Sequence, residues 1–209
     1  MNLPLHLVAK LSNIFMKIVR FLSFVACAIL LPTGAAAASI DVPFTPQAPF
    51  SNWAEPWQNA CEEASIVMVD NYYSGEVLTP NMAHDDIISV LRNKEASLGW
   101  SLDETAAEVA FLINTYMDWH AVVVEEPTIA EIKDEIDARR PVILPVYGKE
   151  LPNPHFRGAP PYHMVVISGY NDATQMFITQ EPGTRHGRNF EYSYDMVMDA
   201  MHDFLPGNT

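Results

Sequence analysis

The sequence predicts an α+β domain in which helices come first and a mainly antiparallel sheet follows. Between about residues 61 and 140, apolar side chains recur at helical spacing. From residue 141 onward they fall in short runs rich in branched and aromatic residues, bounded by Gly, Pro or Asn-Asp turns. The two patterns do not alternate, which disfavours a parallel, doubly wound layout. A chain of 209 residues, 49% of them hydrophobic, is long enough for one domain with a real core.

Ahead of that domain, Lys17 and Arg20 precede the apolar run FLSFVACAILL, followed by Pro32, Gly34 and the small-residue tract AAAAS, the layout of a secretory signal peptide. Cleavage is expected near Ala38, making 1–38 the signal and 39–209 the domain. The apolar stretch is shorter than the roughly 20 residues that span a bilayer, although counting on through the alanines leaves an uncleaved anchor open. Phe24, and the continuation of the run past Cys27, speak against a lipoprotein signal. Losing Lys10, Lys17 and Arg20 leaves 9 of the 12 basic residues against all 26 acidic ones, so the formal charge moves from −14 to −17. Such a charge argues against nucleic acid as a partner and against docking on anionic lipid.

The segment IDVPFTPQAPFSNWAEPW is rich in proline and aromatic residues and reads as an extended stretch running into an irregular loop. A helix is predicted from Cys61, with Ala64, Val67, Met68 and Tyr72 inward, Glu62, Glu63 and Asp70 toward water, and its end at NYYSG. Pro80 after Thr79 opens a second helix to about Arg92. Ser101 with Glu104 reads as a capping box ahead of Leu102, Ala106, Val109, Ala110, Ile113 and Met117. Thr128 with Glu131 repeats the pattern before Ile129, Ile132 and Ile136, and Arg139 and Arg140 suit that helix's C-terminus. Strands are predicted over 141–147, 163–170, 176–181 and 189–194, with a last helix over about 195–204.

With Cys27 removed in the signal, Cys61 stands alone and cannot form an internal disulfide. An odd cysteine in an exported chain is buried, paired between chains, or used. Its place at a helix start favours the thiolate, but Glu62 and Glu63 oppose that, so a base is required. His84 and His202 read as solvated helix positions, and His120, His155 and His186 as loop residues. His163 opens an apolar strand directly after GAPPY, at a sheet edge where its ring can face a cleft. A hairpin centred on Asp172 sets His163 opposite Glu181, close enough for the carboxylate to hold the ring. A slip of one residue brings Gln180 or Pro182 there instead, and Gln180 is the alternative partner. Gln47 and Gln58 both precede Cys61, and either amide can supply an oxyanion N–H. No CxxC or HExxH spacing occurs, so neither metal nor cofactor is expected.

The order Gln, Cys, His, carboxylate resembles that of the papain-like cysteine peptidases. VPFTPQAPFSNW, CEEASIVMV, RRPVILPVYGKELPNP, YHMVVISGYND and FITQEPGTRHG are similar to successive motifs of the bacterial peptidase family C-39-like domains, relatives of the bacteriocin-leader peptidases, over about residues 41–200. The resemblance implies a papain-like fold, the Cys-bearing helix packed on the sheet that carries the His. It further implies Cys61 as nucleophile, His163 as general base, Gln47 rather than Gln58 as the oxyanion glutamine, and Glu181 where the family usually has Asp before PGT.

The expected function is therefore a secreted or periplasmic cysteine hydrolase, acting on a peptide or amide bond through an acyl-thioester on Cys61. Acyl transfer with the same residues and a non-catalytic binding module on the same fold are the alternatives. A monomer is expected, with no membrane contact after cleavage. The connection YGKELPNPHFRGAPPY reads as a cleft wall in which Phe156 and Tyr162 can shape a pocket.

Overall fold

The computed structural model describes residues 36–156 and 158–204. Strand β1, Ala37–Ser39, includes the last two residues of the expected signal segment; the rest of that segment up to residue 35, Cys27 included, lies outside the described residues. A 3-10 turn, Trp57–Asn59, leads into helix α1, Cys61–Ser74. Three more helices follow: α2, Pro80–Leu98, α3, Ala106–Tyr116, and α4, Ile129–Asp137. Then come β2, Val142–Tyr147, β3, Tyr162–Asn171, β4, Met176–Gln180, β5, Phe190–Ser193, and the short helix α5, Tyr194–Ala200. The order is α+β as expected. Among the described residues no helix is long and apolar enough to cross a membrane.

All strand pairs are antiparallel, and β3 is the hub. One edge of β3 takes β2 along residues 162–167 and β1 along 169–171; the other takes β4, which in turn pairs β5. A bulge between Ile167 and Gly169 sets the β3–β4 register to Val166↔Gln180 on one side and Tyr170↔Phe177 on the other. This corrects the expected hairpin. The turn occupies residues 172–175 rather than centring on Asp172, because Lys133 (2.7 Å) and the Tyr194 hydroxyl (2.8 Å) both hold the Asp172 carboxylate. As a result β4 ends before it reaches the level of His163.

Two buried clusters flank α1. One lies between the sheet, α4 and α5 and includes Met68, Val69, Ile136, Val165, Ile167 and Phe177. The other joins α1, α2 and α3 to the start of β3, through Ala64, Val67, Ile87, Leu112, Tyr162 and Met164. Helix α1 is thus buried on nearly every side over its first nine residues rather than along one stripe. Each aliphatic side chain buried there contributes roughly 1.5–3 kcal/mol. That gain offsets the cost of burying Glu62 and Glu63, which were expected in water and are 1% and 0% exposed.

Local signals set the helix ends. Thr79 Oγ1 accepts from Met82 N and caps α2, which runs past Arg92 until Gly99 stops it. Thr105 and Glu108, not Ser101 and Glu104, form the capping box of α3. Ser101 does donate to Glu104, but that bond holds Glu104 in a buried charge network instead. The Thr128–Glu131 box opens α4 as expected, and Arg140 folds back onto Glu135 after the helix has ended at Asp137.

The loop after β4 is tied to the sheet through Gly187, whose carbonyl accepts from Glu181 N at 3.0 Å. A Cβ on Gly187 would stand 1.8 Å from the Glu181 carbonyl oxygen, so no side chain fits without moving backbone. Gly187→Ala is expected to cost about 3 kcal/mol, seen in thermal denaturation as a Tm lower by roughly 6–12 °C. An unchanged Tm would contradict this packing.

Candidate active site

His163 is the second residue of β3 and is 1% exposed. Its Nε2 lies 2.6 Å from Glu181 Oε1. Glu181 is the first residue beyond β4, and its side chain reaches from the loop to the ring. The expected contact therefore forms by a different route from the expected register. The extra methylene of Glu over Asp fits a carboxylate that starts outside the strand. Glu181 Oε1 also accepts from Gly183 N at 2.7 Å, and Oε2 accepts from the Tyr192 hydroxyl at 3.0 Å. Asn153 Nδ2 donates to that hydroxyl at 2.9 Å. Burial, then the Glu181 charge, pushes the Tyr192 phenol above its ordinary value, so it remains a donor.

Phe156 stands edge-on to the imidazole, 5.8 Å between centroids at 87°. With Nε2 held by Glu181, Nδ1 is the ring nitrogen left for chemistry. Tyr192, Asn153 and Gly183 were not legible as site residues, because only the β4–β5 pairing and the fold-back of residues 181–187 bring them to Glu181. Gln180, the alternative partner, is elsewhere: its Nε2 donates to Ser168 Oγ (3.2 Å) and Asn189 Oδ1 (2.7 Å).

Cys61 is the first residue of α1, preceded by Ala60, which offers no side-chain cap. Its Sγ–H donates to Glu62 Oε2 at 3.1 Å. Burial, then the charge and hydrogen bond of Glu62 and the charge of Glu63, raise the thiol well above its ordinary value, while the Met164 backbone acts the other way. The helix start alone therefore does not make a thiolate. Cys61 lies in one buried cluster with Tyr162 and Met164, the neighbours of His163 in β3. Sulfur and imidazole are not joined by a hydrogen bond; each is held by its own carboxyl.

The acids beside Cys61 form a network across α1, α2, the loop before α3 and the start of β3. Glu104 N donates to Glu62 Oε1 (3.3 Å), Lys94 Nζ lies 2.7 Å from Glu63 and 3.1 Å from Glu104, and the Tyr162 hydroxyl donates to the Glu104 carbonyl (2.7 Å). The three carboxyls offer oxygens within 4.8 Å of one another, as a metal site would, but Lys94 supplies the positive charge there. One cation cannot neutralise three carboxylates, so protons must. Burial pushes Glu63 up to about 7 despite Lys94, and burial, then Glu63 and Glu104, raises Glu62 as well.

The folded state thus keeps protons that the unfolded chain has lost between about pH 4.5 and 7, and stability from this cluster falls as pH rises through that window. Lys94→Met is expected to cost roughly 3–5 kcal/mol at about pH 8, where the acids lose their cation, and much less at about pH 5, below the value of about 7 to which Glu63 is pushed. Urea denaturation at the two pH values measures it. Equal losses would show that charge is not what Lys94 provides.

Gln47 is 3% exposed and is tied to both halves of the site. Its backbone N donates to Pro182 O (2.9 Å), and its Nε2 donates to Trp57 O (3.0 Å) and Gln58 O (2.8 Å). Both amide hydrogens are committed to the turn that leads into Cys61. Gln58 is exposed and its side chain turns to Glu55. Beside Phe156, Leu151, Asn153 and Ala159 are among the residues that line a groove of about 420 Å³. Phe156 separates it from the imidazole.

A family model described as the Peptidase_C39 like family matches residues 39–204. The crystal structure of a candidate C39-like peptidase from Bacillus anthracis is similar in fold, with a TM-score of 0.56 at 14% identity, covering 79% of this chain and 92% of that one. No curated protein sequence matches the chain.

Proposed function

The chain belongs to the Peptidase_C39 like family, and from that membership we propose an exported cysteine hydrolase, secreted or periplasmic, that cleaves a peptide or amide bond through an acyl-thioester on Cys61. The observation that carries this reading is the 2.6 Å bond from Glu181 to His163 Nε2, which orients the ring and leaves Nδ1 as a base. In this reading the sulfur leaves Glu62 by a turn about χ1 between staggered wells and meets Nδ1. His163 takes the thiol proton as Sγ attacks the carbonyl, and backbone N–H at the start of α1 stabilises the oxyanion. The imidazolium then gives its proton to the leaving amine, and the acyl group stays on sulfur. Water, deprotonated by His163, attacks the thioester, and the proton returns to the departing sulfur.

Because the thiol is held up, His163 acts as a base during attack rather than as half of a resting ion pair. Gln47 is assigned to hold the turn before Cys61, since both its amide hydrogens are taken there. The groove beside Phe156 suits the peptide chain on the histidine side. A second reading, a non-catalytic binding module, is favoured by the bond from Sγ–H to the Glu62 carboxyl, which holds the nucleophile in reserve. Profiling with a peptide library separates the two. The hydrolase gives cleavage products that disappear in Cys61→Ala, whereas products from neither protein, with both folded, favour the binding module.

A further inference from the structure

A second pocket lies between the turn that delivers the chain to α1 and His84 of α2. It holds about 120 Å³ and is lined by Ala48, Pro49, Phe50, Asn52, Trp57 and His84. The His84 ring packs at a tilt against Trp57 (4.8 Å, 34°) and Phe50 (5.4 Å, 45°), so three π-systems converge on a small recess. Asp85 Oδ1 sits 3.1 Å from His84 Nδ1 and is otherwise open to solvent. Every lining residue comes from residues 36–91, a stretch without a single lysine or arginine, while Glu55 and Asp85 within it are exposed acids. Trp57 is also structurally coupled to the sulfur: its carbonyl accepts from Gln47, and its ring is in the same buried cluster as Cys61.

Aromatic faces attract a cation through their quadrupole, and more strongly where solvent is partly excluded. A recess of this size accepts the end of one long side chain rather than a whole residue. We propose that the pocket at Phe50, Trp57 and His84 is a specificity subsite for a basic side chain, a lysine or arginine of the peptide substrate. The proposal rests on the hydrolase reading in taking the ligand to be substrate. The aromatic rings supply the walls, Asp85 and the surrounding acidic surface supply the field, and the carbonyl to be attacked is delivered to the neighbouring sulfur.

The test uses the full domain as Cys61→Ala, so that binding is read without turnover. The indole N–H of Trp57 is followed by NMR during titration with the acetyl methylamides of arginine, lysine, leucine and citrulline, and with spermidine. The arginine and lysine amides are expected to move the Trp57 resonance, and citrulline, which has arginine's shape without its charge, to bind at least about fivefold more weakly. Phe50→Ser and Asp85→Asn, both at exposed positions, are each expected to weaken the arginine amide roughly threefold. The proposal is overturned if citrulline matches arginine, if Trp57 does not respond, or if spermidine binds as tightly as the lysine amide, which would mark a general cation site. Hydrolysis lost in Cys61→Ala but indifferent to basic residues would remove this subsite and leave the hydrolase. Binding with no hydrolysis by the native chain would do the reverse.

Discussion

His163→Ala is expected to lower kcat/KM on any peptide substrate by roughly 10²–10⁴-fold, the usual contribution of a general base. The effect is large here because nothing else can take the proton. Glu62, the group bonded to the sulfur, is itself pushed toward its protonated form by burial and by Glu63 and Glu104. The lost rate should not reflect lost structure. Glu181 keeps the Gly183 N–H and the Tyr192 hydroxyl when the imidazole is removed, so its carboxylate stays hydrogen-bonded. A melting curve near that of the native chain, together with a collapse in rate, is the expected pair of results. Retention of rate would remove His163 from the chemistry.

Glu181 is expected to matter twice, for activity and for stability. Glu181→Ala leaves two buried donors, on His163 and Tyr192, and the part-buried Gly183 N–H without an acceptor. Breaking such a site costs roughly 3–5 kcal/mol, so much of this variant should be unfolded or unstable. Glu181→Gln separates the two roles. The amide oxygen can still accept from His163 and Gly183, while the Tyr192 hydroxyl can turn to accept from the amide nitrogen. The fold should survive, with activity reduced about tenfold or more because the charge that stabilises the imidazolium is gone. Glu181→Asp, which restores the residue the resembling family usually carries here, should do worse than its chemistry suggests, since the shorter side chain starts from a position outside β4. Full activity in Glu181→Gln would show that orientation alone is what Glu181 supplies.

How much of this was legible in the sequence follows from which interactions are local. The Thr128 cap, the opening of α2 at Pro80, the strand runs and the helix beginning at Cys61 depend on neighbours in the chain, and those readings match the structure. The capping box of α3 was placed four residues early because Ser101-Glu104 and Thr105-Glu108 carry the same pattern. What decides between them is Lys94, ten residues before Glu104 on another helix, which draws Glu104 into the interior. The same lysine pairs with Glu63 in the interior, while Glu62 is held by the Cys61 thiol and the Glu104 N–H. No local pattern announces that α1 will be enclosed between two clusters. The hairpin register failed for a similar reason, since Lys133 and Tyr194 fix the turn at Asp172 from distant parts of the chain. The His163–Glu181 contact was nevertheless reached, because the loop beyond β4 brings the carboxylate to the ring where strand pairing does not.

The central claim is that the Cys61 thiol gives its proton to His163. The most direct measurement is the rate of Cys61 alkylation by iodoacetamide as a function of pH, in the native chain and in His163→Ala. With the thiol raised by burial and by Glu62 and Glu63, thiolate forms unaided only above the ordinary range near pH 8.5. The native chain should therefore react at least about tenfold faster than His163→Ala near neutral pH, with the two curves converging at high pH. Superimposed curves across the whole range would contradict the proton transfer.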